Sequence, residues 1–148
     1  MKNKITKTAT LFCTWQITAM IGFVMLLASC NQFAKSDLAQ SIQSFNEKSL
    51  PQQQAEGLEW TSLTYNQVLD QVVFLYTFDE NYYDADEALA SFNENKEELK
   101  ANIAPLIAQQ GKVIHFDGSS VKIVYKFPLS NKSFEILFTG EEVEQLTK

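Results

Sequence analysis

Both cysteines of this 148-residue chain, Cys13 and Cys30, lie within or just after an apolar N-terminal stretch, and none follows. The stretch ends as Ile17–Cys30, ITAMIGFVMLLASC. Whatever folds after it has no internal disulfide and must be held by a hydrophobic core. About 110 residues can build such a core without cross-links. Apolar residues make up 45% of the chain and aromatics 12%, which is enough core material to exclude a disordered chain.

The stretch itself reads as a leader. Lys2, Lys4 and Lys7 precede it, and no acid does. Its unbroken apolar part, Ala19–Ala28, is shorter than the roughly 20 residues a membrane span requires. Counting back to Leu11 brings in Thr14, Gln16 and Thr18. A basic start, a short apolar run and small residues at the end are the anatomy of a cleaved signal peptide. The expected division is a leader over 1–29, a tether over 30–35 and a single domain over 36–148.

Leu27-Ala28-Ser29-Cys30 resembles the lipobox of bacterial lipoproteins: an aliphatic residue, two small ones, then cysteine. The resemblance implies that the Cys30 thiol receives a diacylglyceryl group. It also implies cleavage before Cys30 and acylation of the new amino terminus, as by palmitate. Several acyl chains anchor a protein firmly where one is marginal. Cys13 follows the bulky pair Leu11-Phe12 and does not fit the pattern. Asn31, in place of aspartate, implies by the same resemblance the outer membrane, facing the periplasm, in a Gram-negative cell. The membrane, through the lipid on Cys30, is then one partner.

All 12 basic residues are lysines. Removing 1–29 takes three lysines and no acid, so the net charge moves from −6 to −9. A domain this acidic repels phosphate backbones, which excludes nucleic acid as a partner.

After the tether, Leu38, Ile42 and Phe45 form one apolar stripe, which predicts a helix from Ser36 or Asp37 to about Leu50. Pro51, the three glutamines and Gly57 read as a polar connection. Leu58–Tyr65 and Val72–Asp79 read as strands of a hairpin, the second nearly all apolar. A long helix is expected over Asp86–Gln110, with a kink or a break at Pro105. Val121–Phe127 and Ser133–Phe138 alternate as a second hairpin. Glu135 is placed to pair with Lys122 or Lys126. Thr139 and Glu142 form a capping box for a last helix over Gly140–Thr147.

The predicted class is α+β: a two-layer domain with a roughly four-stranded antiparallel sheet, ordered helix, hairpin, helix, hairpin, short helix. In this order, and in its Pro51 to Gly57-Leu58 entry to the first strand, the domain resembles small uncharacterised bacterial lipoproteins. That resemblance brings no active site.

The chemistry-bearing candidates are few. Asp79–Glu87, DENYYDADE, is the densest acidic stretch. A calcium loop beginning at Asp79 would need an oxygen ligand at Tyr83, glycine at Asp84 and glutamate at Ala90, and all three fail. Asp84 and Glu87 read instead as a helix cap. Tyr82 and Tyr83 lie over the end of the core or touch a partner. His115 is the lone histidine and has no nucleophile pattern beside it. No catalytic residue, metal ligand or cofactor is assigned.

One helix layer covers the face bearing Leu58, Trp60, Phe74, Tyr76, Phe78, Ile123, Tyr125, Phe127, Phe134, Ile136 and Phe138. The other face collects Leu63, Tyr65, Val73, Leu75, Val124 and Leu137. Contiguous exposed apolar surface marks an interaction site. Either the first or the last helix packs on this face, or it receives an envelope partner or a second copy. Three functions fit: a non-catalytic interaction module, a small-ligand binder with a pocket near Trp60 and the tyrosines, or a carboxylate enzyme built on Asp84, Asp86 and Glu87.

Overall fold

The computed structural model describes residues 35–115 and 118–148. The leader, the lipobox and Cys30 lie outside the described residues. The elements are α1 (Lys35–Ser49), β1 (Gln52–Ala55), β2 (Leu58–Asn66), β3 (Gln71–Phe78), α2 (Ala85–Glu94), α3 (Lys96–Ile114), β4 (Ser120–Phe127), β5 (Lys132–Phe138) and α4 (Gly140–Thr147). They build an α+β domain on a five-stranded sheet in the order β1-β2-β3-β4-β5.

The two expected hairpins are present, but they join differently. β2–β3 and β4–β5 pair antiparallel, whereas β3 and β4 pair parallel from Gln71↔Ser120 to Thr77↔Lys126. The sheet is therefore mixed. The cause is the helical connection: α2 and α3 carry the chain back to the end where β3 began, as parallel neighbours require. The fifth strand is β1, in the segment expected to be a polar connection. It pairs with β2 through its backbone, with Gln52 opposite Trp60 and Ala55 opposite Leu58. A short polar edge strand is one way a sheet limits unwanted pairing.

The long helix is broken at Asn95 rather than Pro105. Asn95 has φ −112° and ψ 22°, and both its backbone N–H and its Nδ2 donate to the Ser91 carbonyl. Pro105 sits inside α3. The carbonyl it leaves without a helical donor belongs to Ala101, which is exposed, so water can serve it. α3 also runs past Gly111 to Ile114 and ends on His115, whose φ of 53° is left-handed and whose N–H donates to the Gly111 carbonyl.

One register shift reorders a face. β2 and β3 slip between Trp60 and Ser62, leaving Thr61 extra. Such a bulge turns the rest of the strand over. Leu63 therefore points to the helix side opposite Phe74 and is fully buried, and Tyr65 follows it, opposite Val72. The expected placement of Leu63 and Tyr65 on the open face is corrected accordingly.

The four helices of the described residues lie on one side of the sheet. Phe45 of α1 packs on Trp60, with ring centroids 5.3 Å apart. Phe92 of α2 stacks on Tyr125 and Phe134 at 5.3 and 5.1 Å. Lys100 of α3 lies over the Phe138 ring and pairs with Glu142 of α4 at 2.7 Å. The expected core-face residues are all buried, with Leu38, Ile42, Leu99, Ile103 and Ile107 joining from the helices. Burying each large side chain contributes about 1.5–3 kcal/mol, which offsets the absence of a disulfide in this domain.

Candidate functional site

The acidic loop serves the fold. The Asp84 carboxylate accepts from the N–H groups of Asp86 and Glu87 and caps α2. The Glu80 carboxylate accepts from the N–H groups of Leu129 and Ser130, at 2.6 and 3.0 Å, and holds the β4–β5 turn. Asp86 pairs with Lys132. Asp84 and Asp86 are thus turned onto separate partners. Among the described residues, no group of three His, Cys, Asp or Glu side chains is placed to hold a metal ion. Tyr83 lies over the core end, edge-on to Phe78 at 4.9 Å, and its hydroxyl donates to the Glu56 carbonyl. Tyr82 is exposed. Gly57, with φ +75°, is pressed under both tyrosines, and a β-carbon there would meet Tyr82 at 2.8 Å.

A second cluster joins the two halves of the sheet. The Asp70 carboxylate accepts from the hydroxyls of Tyr65 and Ser119, at 2.7 and 2.6 Å. The Asp70 carbonyl accepts from the Ser120 N–H. The hydrogen bond to Asp70 is the main cause that raises the Tyr65 pKa above its ordinary value. The serine hydroxyl faces the carboxylate directly, without an intervening histidine. The cluster ties the β2–β3 turn to the start of β4.

Two features remain without a structural partner. The first is a cavity between α3, β1 and the sheet, lined by Gln52, Gln54, Trp60, Phe74, Tyr76, Leu106 and Gln110. It lies near Trp60 and Tyr76, where the sequence suggested a ligand pocket. Three buried oxygens here have no partner among the described residues: Gln54 Oε1, Tyr76 Oη and Gln110 Oε1. Burial holds the Tyr76 hydroxyl well above its ordinary pKa, so it stays protonated and can donate. Two amide acceptors and one hydroxyl donor match the two donors and the acceptor of a single water molecule. The cavity is about 10 Å³, room for about one water molecule and far below the roughly 300–1,000 Å³ of a ligand pocket.

The second is the open face of the sheet. Val73, Leu75 and Val124 are half-buried by their neighbours, and Leu137 is 45% exposed. Val73 pairs with Lys122, Leu75 with Val124, and Leu137 with Lys122 across the strands, so the four make one patch. Thr61 and Thr77 share a hydrogen bond of 2.7 Å at its margin. Lys122 pairs with Glu135 at 2.9 Å, while Lys126 is exposed with no ion pair among the described residues. No described helix lies on this face. The bulge that removes Leu63 and Tyr65 from it has no signature in the residue alternation of β2.

No helix among the described residues is long and apolar enough to cross a membrane. No protein-family model matches this sequence, and no curated protein matches it. The fold is similar to the crystal structure of a candidate secreted protein from Pseudomonas aeruginosa, with a TM-score of 0.54 and 9% identity. The alignment covers 77% of this chain and 99% of that one. At this identity the likeness is one of fold alone.

Proposed function

We propose that this chain is a bacterial envelope lipoprotein whose folded domain is a non-catalytic interaction module. Its anchor is the lipid on Cys30, and the sorting residue Asn31 favours the outer membrane, facing the periplasm. The similarity to a candidate secreted protein supports export. The observation that carries the module reading is the open patch of Val73, Leu75, Val124 and Leu137. Its occupant is an envelope protein presenting an apolar surface and a carboxylate for Lys126. A second copy is less suited, because two domains each of net charge −9 repel one another.

The test is site-specific photo-crosslinking in intact cells from position 124, with position 97 on the solvated side of α3 as control. Support is one protein captured from 124 alone and lost with Lys126→Glu. Capture of a second copy would replace the partner with a homodimer, and equal capture from both positions would sink the reading. The anchor is tested separately: Cys30→Ala should abolish processing and palmitate labelling.

A further inference from the structure

We infer that the β2–β3 turn, with Val68 and Leu69 at its tip, rests on the lipid bilayer as a second membrane contact. The inference rests on the proposed lipid anchor at Cys30.

The two side chains are unusual among the large apolar residues of the domain. Val68 is 93% exposed and Leu69 is 63% exposed. They are adjacent, at the tip of a turn that the fold holds rigid. The Asn66 side-chain oxygen accepts from both of their N–H groups, at 3.0 and 3.1 Å. The following Asp70 is fixed by the hydroxyls of Tyr65 and Ser119. The turn thus offers two apolar side chains while the N–H groups of both residues are already satisfied. This lowers the cost of placing them in a less polar medium.

The orientation of the domain points the same way. α1 lies along β2, with Phe45 on Trp60 and Asn46 bonded to Leu63. Its C-terminal end leads into Gln52, opposite Trp60, so α1 runs antiparallel to β2. From Asn46 back to Lys35 is about 16 Å at 1.5 Å per residue. From Leu63 forward to Asn66 is about 10 Å at 3.3 Å per residue. The start of α1 therefore reaches the level of the β2–β3 turn. Four residues separate Cys30 from Lys35, and the five steps from one to the other span at most about 18 Å. An anchor that short brings this end of the domain to the bilayer. β3 and β4 are parallel, so the β4–β5 turn, with exposed Leu129, stands at the opposite end.

The contact is hydrophobic, since a domain of net charge −9 gains nothing from anionic headgroups. With this end down, the sheet stands on edge and its open face looks sideways, free for a protein partner.

The test uses the lipidated protein purified from membranes and reconstituted in phosphatidylcholine–phosphatidylethanolamine vesicles containing brominated acyl chains. Leu69→Trp and Leu129→Trp are compared by fluorescence, against the buried Trp60 as constant background. Quenching at position 69 several-fold stronger than at 129, with a blue-shifted emission, is the expected result. Equal quenching at the two positions in protein that floats with the vesicles overturns the turn contact and leaves the anchor standing. Protein that does not float overturns both.

Discussion

The Asn46 side chain gives Leu63 the hydrogen bonds that a neighbouring strand would supply. Its Nδ2 donates to the Leu63 carbonyl at 2.5 Å, and its Oδ1 accepts from the Leu63 N–H at 2.8 Å. β1 pairs with β2 only as far as Trp60, so beyond that point the outer edge of β2 has lost its strand partner. One amide on α1 completes the ladder and fixes the helix to the sheet. Asn46→Ala should cost about 2–3 kcal/mol, because it leaves a part-buried N–H and C=O unpaired. Urea denaturation measures it; a loss near zero would mean that water replaces the amide freely.

Leu63 and Leu75 test the bulge. Read by simple alternation they share a face, yet Leu63 is fully buried and Leu75 lies on the open side. Leu63→Ala should cost about 2–5 kcal/mol, as for a core leucine. Leu75→Ala should cost under half of that. Equal losses by thermal denaturation would place both in the core.

Tyr76→Phe probes the cavity oxygens. If a water joins the three groups, removing the phenol should lower stability at neutral pH by about 1 kcal/mol. A gain would show that the hydroxyl is idle. The alkaline side adds a second signature. Burial raises the folded-state pKa of Tyr76 well above its ordinary value of 10.0. Its contribution is therefore complete below pH 10 and is lost as pH rises toward the folded value. The variant should lose less stability than the wild type above pH 10.

Glu142 carries an acid-side prediction. Its carboxylate accepts from Lys100 Nζ and from the Thr139 N–H, while the Thr139 hydroxyl caps its own N–H. Lys100 first, and Thr139 after it, hold the pKa below its ordinary value of 4.5. The stabilisation is present above pH 4.5 and disappears as pH falls through the folded value. The side chain is 41% exposed, so solvent screening limits the effect. Glu142→Gln should cost about 0.5–1 kcal/mol at pH 7 and nothing in strong acid. A difference independent of pH would contradict this account.

Gly140→Ala should destabilise by about 1–3 kcal/mol, the usual range for overpacking. A β-carbon at Gly140 would run into the Gly118 carbonyl oxygen, which is backbone and cannot swing aside. An unchanged melting temperature would mean that the 118–120 segment yields.

Much of the fold was legible because its signals are local. The stripe Leu38, Ile42, Phe45 and the alternation of Val121–Phe127 depend on burial of neighbouring side chains. The Thr139–Glu142 capping box is a local pair of hydrogen bonds and reads directly from spacing. What escaped depends on distant partners. β1 is a strand because β2 offers it an edge, not because Gln52-Gln53-Gln54 prefers one. The break at Asn95 is decided by packing of α2 and α3 on different parts of the sheet. The parallel pairing was hinted at by the helical connection between two apolar strands, a pattern that favours a crossover over a hairpin. The candidate site was half legible. Val73, Leu75, Val124 and Leu137 lie on the face assigned to them, and Leu63 and Tyr65 left it through one extra residue.

The parallel seam between β3 and β4 also has a kinetic meaning. Each hairpin closes a short loop, but Gln71 and Ser120 meet across 49 residues. Closing the longer loop costs more chain entropy before any contact rewards it. The seam should therefore form last, zipping two preformed hairpins once α2 and α3 have shortened the distance between them. Until then β3 and β4 each present an unpaired apolar edge. Those edges are the segments a chaperone would need to shield while the domain folds.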